Sequence, residues 1–308
     1  MGQRDPAGDV LWATASVGQP PAPVTASRLL GIDPGTLDVD AAYTPPTNST
    51  VEAVHGIDVD DERNTLGVTN TRNNSVSVYI QKTGRHLATR PYVHHSREVV
   101  LDEKRDVVWA GAFGEGALVA FDSRTFRDIR HVPVEGSGPT GLTLNEWTGA
   151  VYAADFTNDR TIEIPPGSGT PRLIPAGDAP RSIALSADGR TAYPADQAAG
   201  AVSVVDVHRG TVARSAATGE GAKSVAVDPC TGRVLVANRL AGSLSVVDPR
   251  AGTVVESVTT DAYPNHVRVS DDSTVYVVDK TGSGPSGEGG LTRIRFSPQS
   301  SHAPRPAC

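Results

Sequence analysis

The chain repeats one pattern of two strands joined by an acidic or polar turn, about every 42 residues. The copies are "GIDVDDERNTLGVTN", "EVVLDEKRDVVWAGA", "GLTLNEWTGAVYAAD", "SIALSADGRTAYPAD", "SVAVDPCTGRVLVAN" and "HVRVSDDSTVYVVDK". The residue that closes the first strand of each copy advances in steps of 42, 43, 41, 42 and 42, at Asp60, Asp102, Asn145, Ser186, Asp228 and Ser270. Such regularity indicates a repeat architecture, in which each unit buries its apolar faces against its neighbours.

Each copy continues into a third strand, and most continue into a fourth. The third strands are "SVSVYI", "ALVAFD", "RTIEIP", "AVSVVD", "SLSVVD" and "LTRIRF", in which valine often alternates with serine or aspartate. This period of two is typical of half-buried strands. Turns such as "ADGR" and "KTGR" carry the glycine that tight hairpins need. No ten-residue segment has the 3.6-residue apolar period of a helix.

A weaker copy, "RDPAGDVLWAT", precedes these six and places Asp5-Pro6 where the sixth unit has Asp228-Pro229. Seven units of four strands predict an all-β, seven-bladed β-propeller of antiparallel blades, forming a single domain over residues 1–297. The predicted blades are 1–46, 51–90, 92–134, 138–177, 179–219, 221–261 and 263–297, followed by a disordered, proline-rich tail at 298–308.

The two ends of the chain do not supply all the strands of the first and last blades. Too few residues precede Asp5 for a first strand, and the tail "PQSSHAPRPAC" is too rich in proline for a fourth. We therefore expect incomplete ring closure at the N-terminus, and an upstream segment that holds an outer strand and a signal peptide. Residues 1–10 have no hydrophobic signal core, and no apolar run approaches the roughly 18 residues of a membrane span.

The composition is that of a globular protein, with 308 residues, a formal net charge of −7 and a pI near 5.6. An acidic chain of this kind is unsuited to indiscriminate nucleic-acid binding, although a local basic site is compatible with it. Its two cysteines, Cys230 and Cys308, are too few for a disulfide framework or a zinc cluster, and the sequence leaves their pairing open.

The repeats resemble the YVTN-type repeat of the YncE-like seven-bladed propellers. The matching residues are Val68-Thr69-Asn70 with "NNSVSV" and Val236-Ala237-Asn238 with "GSLSVVD", and the resemblance extends from about Asp5 to Phe296. It implies a protein that is usually exported, to the periplasm or cell exterior, and that acts by binding. Some relatives bind single-stranded DNA, and others in the wider superfamily are lactonases or hold a quinone.

The candidate ligand-binding residues come from the first strands of the blades. In a propeller these strands line the central channel and start at its mouth, so the residues five positions before the strand-closing ones should form its rim. These are His55, Arg97, Thr140, Arg181, Lys223 and Asn265, with His266, His94, His95 and Glu98 beside them. Loops after the second strands should add Asn70, Arg72, Asp155, Arg160, Asp196, Asn238, Arg239, Asp279 and Lys280.

A cationic mouth on an anionic protein would concentrate an anionic ligand, although the same residues also suit a rim that is only solvated. We expect a monomeric, non-enzymatic binding propeller without a cofactor, which uses His55, Arg97, Arg181, Lys223, Asn265 and His266. Its partner would be an anionic small molecule, a polysaccharide, a protein or single-stranded nucleic acid. The alternative is a lactonase- or lyase-like enzyme with His55 or His266 as general base and Arg97 or Arg181 stabilising an oxyanion.

Other chemistries find less support in the sequence. His94, His95, Glu98 and His266 could ligate a metal, but adjacent histidines on a strand point to opposite faces, so we predict no metal site. The chain has no G-x-S-x-G motif and no dinucleotide fingerprint. The long loops "VGQPPAPVTASR" and "KTGSGPSGEGG" could cover one side of the mouth, or could be surface insertions. Trp12 and Trp109 should pack between blades, and Trp147 should be exposed.

Overall fold

Segments of alternating valine and polar residues form 26 strands in the computed structural model, and the residues that it describes contain no helix. The described residues are 10–18, 23–46, 51–260, 263–280 and 289–296. The expected closure at the chain ends, the tail at 298–308 and the pairing of Cys230 with Cys308 lie outside them. So do residues 19–22 of the first long loop and residues 281–288 of the second. No helix in this part of the chain has the length and apolarity of a membrane span.

The chain divides into two compact units, and unit one comprises Met1–Asn158 and Ile162–Arg172. The strands of its first three sheets are β1 (Leu11–Val17), β2 (Ala26–Ile32), β3 (Val39–Tyr43), β4 (Val54–Asp60), β5 (Thr65–Asn70), β6 (Ser75–Ile80), β7 (His86–Pro91), β8 (Ser96–Asp102), β9 (Val107–Ala112), β10 (Ala117–Asp122) and β11 (Asp128–Pro133). The fourth sheet contains the boundary between the units, and consists of β12 (Pro139–Asn145), β13 (Ala150–Asp155), β14 (Arg160–Ile164) and β15 (Arg172–Pro175).

Unit two comprises Asp159–Thr161 and Leu173–Cys308. Its sheets are formed by β16 (Pro180–Leu185), β17 (Thr191–Asp196), β18 (Ala201–Asp206), β19 (Thr211–Ala217), β20 (Ala222–Val227), β21 (Val234–Asn238), β22 (Ser243–Asp248), β23 (Thr253–Thr259), β24 (Pro264–Val269), β25 (Val275–Asp279) and β26 (Leu291–Ile294).

Within every sheet the strands lie in chain order and each observed pair is antiparallel. Of the seven sheets in the described residues, the first and last have three strands and the other five have four. The predicted strand-closing residues lie at the end of the first strand of their sheet or one position beyond it. The fold class is therefore the predicted all-β, seven-bladed β-propeller.

The core of each unit lies between successive sheets. Trp12 packs with Leu29 and Ile57 between the first two sheets, and Trp109 packs with Val151 and Ile162 between the third and fourth. In unit two, corresponding clusters lie between the fifth and sixth sheets and between the sixth and seventh. A four-stranded sheet has two apolar faces, so stacking on a neighbour at each face removes them from water. Both predicted interior tryptophans are confirmed.

The polar residues that close the first strands organise the following turns. Asp60 Oδ1 accepts the backbone N–H of Arg63 at 2.8 Å, and Asn145 Oδ1 accepts that of Trp147 at 3.1 Å. Asp228 Oδ1 does the same for Cys230 at 3.0 Å. Short polar side chains hold tight turns in this way, which explains their recurrence in the repeat. Trp147 itself is 77% exposed, as predicted.

Candidate functional site

The predicted rim residues of the first strands occupy equivalent positions, because each is the second residue of its strand: His55, Arg97, Thr140, Arg181, Lys223 and Asn265. In every one of these strands the pairing register shifts at that residue, as between Val54 and Ile57 or between Ala222 and Ser224. A bulge of this kind leaves a residue out of the ladder and re-aims its side chain. The repeat therefore presents six equivalently displaced side chains.

In unit one the bulges bring His55 and Arg97 together. His55 Nδ1 lies 3.1 Å from the carbonyl oxygen of Arg97 and 3.7 Å from Glu98 Oε1. Because a carbonyl oxygen can only accept, His55 carries a proton on Nδ1. Thr69 Oγ1 donates to the same Arg97 carbonyl at 2.8 Å and accepts the backbone N–H of Gly56. These contacts hold the main chain that carries Arg97.

The side chain of Arg97 has a different environment from its backbone. Its guanidinium carbon lies 5.5 Å from the centre of the Phe113 ring, and its buried Nε has no hydrogen-bond partner in the described part of the chain. Burial lowers the pKa of the Arg97 guanidinium, while the neighbouring Glu98 carboxylate opposes that change. The His95 ring also packs on Phe113, with 5.4 Å between the ring centres. Arg97 is thus a partly desolvated cation on an aromatic face.

In unit two the remaining candidates are half-buried on β16, β20 and β24. Asn265 Oδ1 accepts a hydrogen bond from Arg239 at 2.6 Å, and the Arg239 guanidinium carbon lies 5.4 Å from the centre of the Tyr263 ring. His266 Nδ1 lies 3.5 Å from Ser224 Oγ, which accepts the backbone N–H of Val267. Arg181 and Lys223 lie at the bulges of their strands. That the six predicted ligand-binding residues form one mouth stays a prediction.

Five of the loop residues predicted to lie at the rim are buried, which corrects that expectation: Asn70, Asp155, Asp196, Asn238 and Asp279. Asn70 Nδ2 donates to Ser75 Oγ and Ser77 Oγ at 3.0 and 2.8 Å, and Asn238 Nδ2 donates to Ser243 Oγ and Ser245 Oγ. These side chains tie the second strand to the third. Buried polar groups need such partners, so their recurrence is structural.

The same contacts explain the motif that carries the family resemblance. Thr69 joins its own sheet to the carbonyl of Arg97 in the next sheet, and Asn70 joins β5 to β6. Asn238 repeats the second function in unit two, where Ala237 replaces the threonine. The motif therefore indicates how the sheets are held, and the ligand chemistry depends on other residues.

Some residues of the site cannot be found from the repeat alone. Phe113 lies between the strands β9 and β10, and its contact with Arg97 depends on tertiary packing. The one local signal is an aromatic side chain in the glycine-rich segment "GAFGEG". His94 is exposed, and no group of three potential metal ligands of the His, Cys, Asp or Glu type converges within the described ranges.

Seven successive antiparallel sheets, six of them with a bulged first strand, place this protein in the class of β-propellers. No protein-family model and no curated protein sequence matches the chain. Among solved structures, it is similar to Kuenenia stuttgartiensis hydrazine synthase, with a TM-score of 0.75 and 15% identity over 96% of this chain and 94% of that one.

It is also similar to the dihydro-heme d1 dehydrogenase NirN, with a TM-score of 0.67, 18% identity and 88% of this chain covered. The match spans 62% of the NirN chain. A streptogramin B lyase structure matches with a TM-score of 0.66 and 12% identity, over 80% of this chain and 84% of that one. At these identities the similarity establishes the propeller fold alone.

Proposed function

We propose that the protein is a non-enzymatic binding propeller of the YncE-like type, which binds an anionic ligand through the bulged first-strand residues centred on Arg97. The observation that carries this proposal is the state of the Arg97 side chain. Its guanidinium is partly buried, rests on Phe113 and donates no hydrogen bond to the described residues. A desolvated cation without hydrogen-bond acceptors is costly to a fold, and an oxyanion would supply the missing acceptors.

The neighbours of Arg97 favour binding of an oxyanion. The guanidinium offers a planar fork of donors, which suits carboxylate and phosphate groups. His55 lies beside it and adds positive charge when protonated, while its Nδ1–H bond to the Arg97 carbonyl fixes the ring. Glu98 is close to both residues, which limits the net charge and disfavours strong, unselective attraction of polyanions.

In unit two, Arg181, Lys223, Asn265 and His266 are the residues proposed to contact the same kind of ligand, because each lies at or beside the bulge of its strand. We further propose that the protein acts outside the cytoplasm, as the resemblance implies. The resemblance also makes single-stranded nucleic acid one of the anions to be tested.

A thermal-shift screen of the wild type and R97Q against sugar phosphates, dicarboxylates, lactones and short oligonucleotides tests the proposal. We expect at least one anion to raise the melting temperature of the wild type, and R97Q to lose that response. R97Q without ligand should melt at or above the wild-type temperature, because a partly buried charge has been removed. R105Q is the matched control, since Arg105 is ion-paired with Asp102 at 3.0 Å in a turn.

The screen contradicts the proposal if no anion stabilises the wild type, or if R97Q and the wild type respond equally to every anion. Loss of the response in R105Q as well would attribute the effect to general electrostatics. Binding that is independent of ionic strength would also argue against a charge-based site.

A second candidate function is a lactonase- or lyase-like activity, and it rests on His55, Glu98 and Arg97 lying side by side. Catalytic hydrogen bonds are often long before substrate binds, so the 3.7 Å between His55 and Glu98 is compatible with a base and its orienting carboxylate. Turnover of a lactone in the same screen, abolished by H55A, would favour the enzyme. Ligand-dependent stabilisation without turnover would favour the binding protein.

A further inference from the structure

Unit two has a groove at the opposite ends of its strands from the bulged residues. The groove lies between the fifth and sixth sheets and has a volume of about 1160 Å³. Its walls are the turns that join β16 to β17, β18 to β19, β20 to β21 and β22 to β23. A cavity of this size exceeds the usual range for drug-sized ligands and can hold a molecule with several charged groups.

Five arginines line this groove: Arg190, Arg209, Arg214, Arg233 and Arg250. Arg209 is ion-paired with Asp206 at 2.9 Å. Arg214 donates to the backbone carbonyl oxygen of Arg250 at 2.5 Å, and its stem lies against Gly252 in the adjacent sheet. The guanidinium groups of the other three make no hydrogen bond or ion pair with the part of the chain that the structure describes.

The aspartates of the groove are largely occupied with their own turns. Asp188 Oδ1 accepts from Ser186 Oγ at 2.6 Å and from the backbone N–H of Arg190 at 3.1 Å. Asp248 Oδ1 accepts the backbone N–H of Arg250 at 2.8 Å. Asp228 accepts from Cys230 N–H and from the hydroxyls of Thr231 and Ser273. These three carboxylates therefore accept mainly from main-chain N–H groups and hydroxyls of the turns, whereas the fourth, Asp206, pairs with Arg209.

The floor of the groove is apolar. Tyr193 and Val204 are buried there, with Val227 half-buried beside them. Burial raises the pKa of Tyr193, and the charge of Arg250 opposes that change. The five arginines and four aspartates of the lining leave it with one net positive formal charge, in a chain of −7.

The corresponding turns of unit one provide an internal comparison. There, Arg63 and Arg105 lie three residues after the strand-closing aspartates and pair with them, Arg63 with Asp60 at 3.1 Å and Arg105 with Asp102 at 3.0 Å. In unit two, Arg190 follows Ser186 by four residues and Arg233 follows Asp228 by five. The turns can therefore form with their arginine paired, as in unit one. That the guanidinium groups of Arg190 and Arg233 are unpaired within the described residues of unit two is not explained by the turns themselves.

We infer that the groove between the fifth and sixth sheets is a second binding site, which takes a ligand carrying two or more phosphate or sulfate groups. Arginine pairs with tetrahedral oxyanions through two parallel hydrogen bonds, and several such groups on one ligand would engage Arg190, Arg233 and Arg250 together. The apolar floor would accommodate the carbon skeleton between them. This site is separate from the residues around Arg97 and does not depend on the function proposed for them.

Calorimetric titration with inorganic tripolyphosphate and with a sulfated tetrasaccharide tests the inference and separates the two sources of oxyanion. We expect one or both to bind the wild type, and the triple variant R190Q/R233Q/R250Q to weaken binding by about tenfold or more. R105Q should stay within about twofold of the wild type, since an ion pair at the surface contributes little. The logarithm of the affinity should also depend less steeply on the logarithm of the salt concentration in the triple variant than in the wild type.

The inference is overturned if neither probe binds, or if the triple variant binds as the wild type does. Loss of binding in R97Q but not in the triple variant would place the bound oxyanion at the residues around Arg97 instead. If the triple variant does not fold, the single variant R233Q decides the matter, because Arg233 makes no side-chain bond to the described chain and its replacement removes none.

Discussion

Asp196 offers the most direct test of how the strand connections are stabilised. Its side chain is fully buried at the end of β17, where it accepts from Ser203 Oγ at 2.7 Å and from the backbone N–H of Gly177 at 3.2 Å. Burial raises the pKa of this carboxyl to about 7, the two hydrogen bonds oppose the change, and Asp159 adds to it. The equivalent position in the second and sixth sheets is an asparagine. We therefore predict that D196N stabilises the protein at neutral and alkaline pH.

The magnitude follows from the proton that the folded state retains. The difference between about 7 and the ordinary 3.8, at roughly 1.4 kcal/mol per pKa unit, corresponds to about 4 kcal/mol of unfolding free energy. The unfolded chain releases this proton near its ordinary pKa and the folded chain releases it only near 7. Stability is therefore lost as the pH rises from about 4 to about 7, and the loss is complete above that range. An asparagine has no proton to lose.

Urea titrations of the wild type and D196N at about pH 5 and about pH 8 provide the measurement. We expect D196N to gain about 2–4 kcal/mol over the wild type at the higher pH, and much less at the lower pH. The Asn70 and Asn238 amides donate to serine hydroxyls, and the new amide should donate to Ser203 Oγ in the same manner. The expected gain lies below the full value of about 4 kcal/mol because rearranging the hydrogen bond from the Gly177 N–H costs some free energy.

The reciprocal variant N238D is the matched control in the same unit. It removes donors to Ser243, Ser245 and the carbonyl of Thr218, and introduces a carboxylate at a buried position. It should be less stable than the wild type at both pH values, and more so at the higher one. The reasoning would be refuted if D196N destabilised the protein at high pH, or if its effect were the same at both.

Two further predictions concern packing in unit one, the first with a control glycine in unit two. A methyl group added at Gly84, which has φ of +63°, would enter the ring of Tyr43, so G84A should lower the free energy of unfolding by about 3 kcal/mol or more. G232A is the control, because Gly232 has φ of +68° with open space around it, and it should lower the free energy of unfolding by about 1 kcal/mol. Equal shifts of the two urea midpoints would contradict this reasoning. W12F should lower the free energy of unfolding by about 2 kcal/mol, because it removes volume from the core and the 3.1 Å hydrogen bond from Trp12 Nε1 to Gln81. In the same urea titration, W12A should lower it by about 4 kcal/mol.

The sequence by itself determined the division of the chain into sheets and the positions of most strands. Alternating side chains and turn residues are local signals, and they recur at the same spacing in every unit. A strand whose pattern is weak in one repeat can therefore be located by aligning that repeat with the others. For the same reason, the second residue of each first strand could be identified before its bulge was visible, as at His55 and Arg97.

Only the tertiary structure decided which polar residues are accessible. Asn70, Asp196 and Asn238 follow their strands as surface loop residues would, yet neighbouring loops and strands cover them completely. The contact of Arg97 with Phe113 joins the first strand of a sheet to the turn between its second and third strands, and the groove that Arg190 and Arg250 share lies between two sheets. Burial and pairing of a charge depend on atoms that are distant in the chain, and a local pattern contains no information about them.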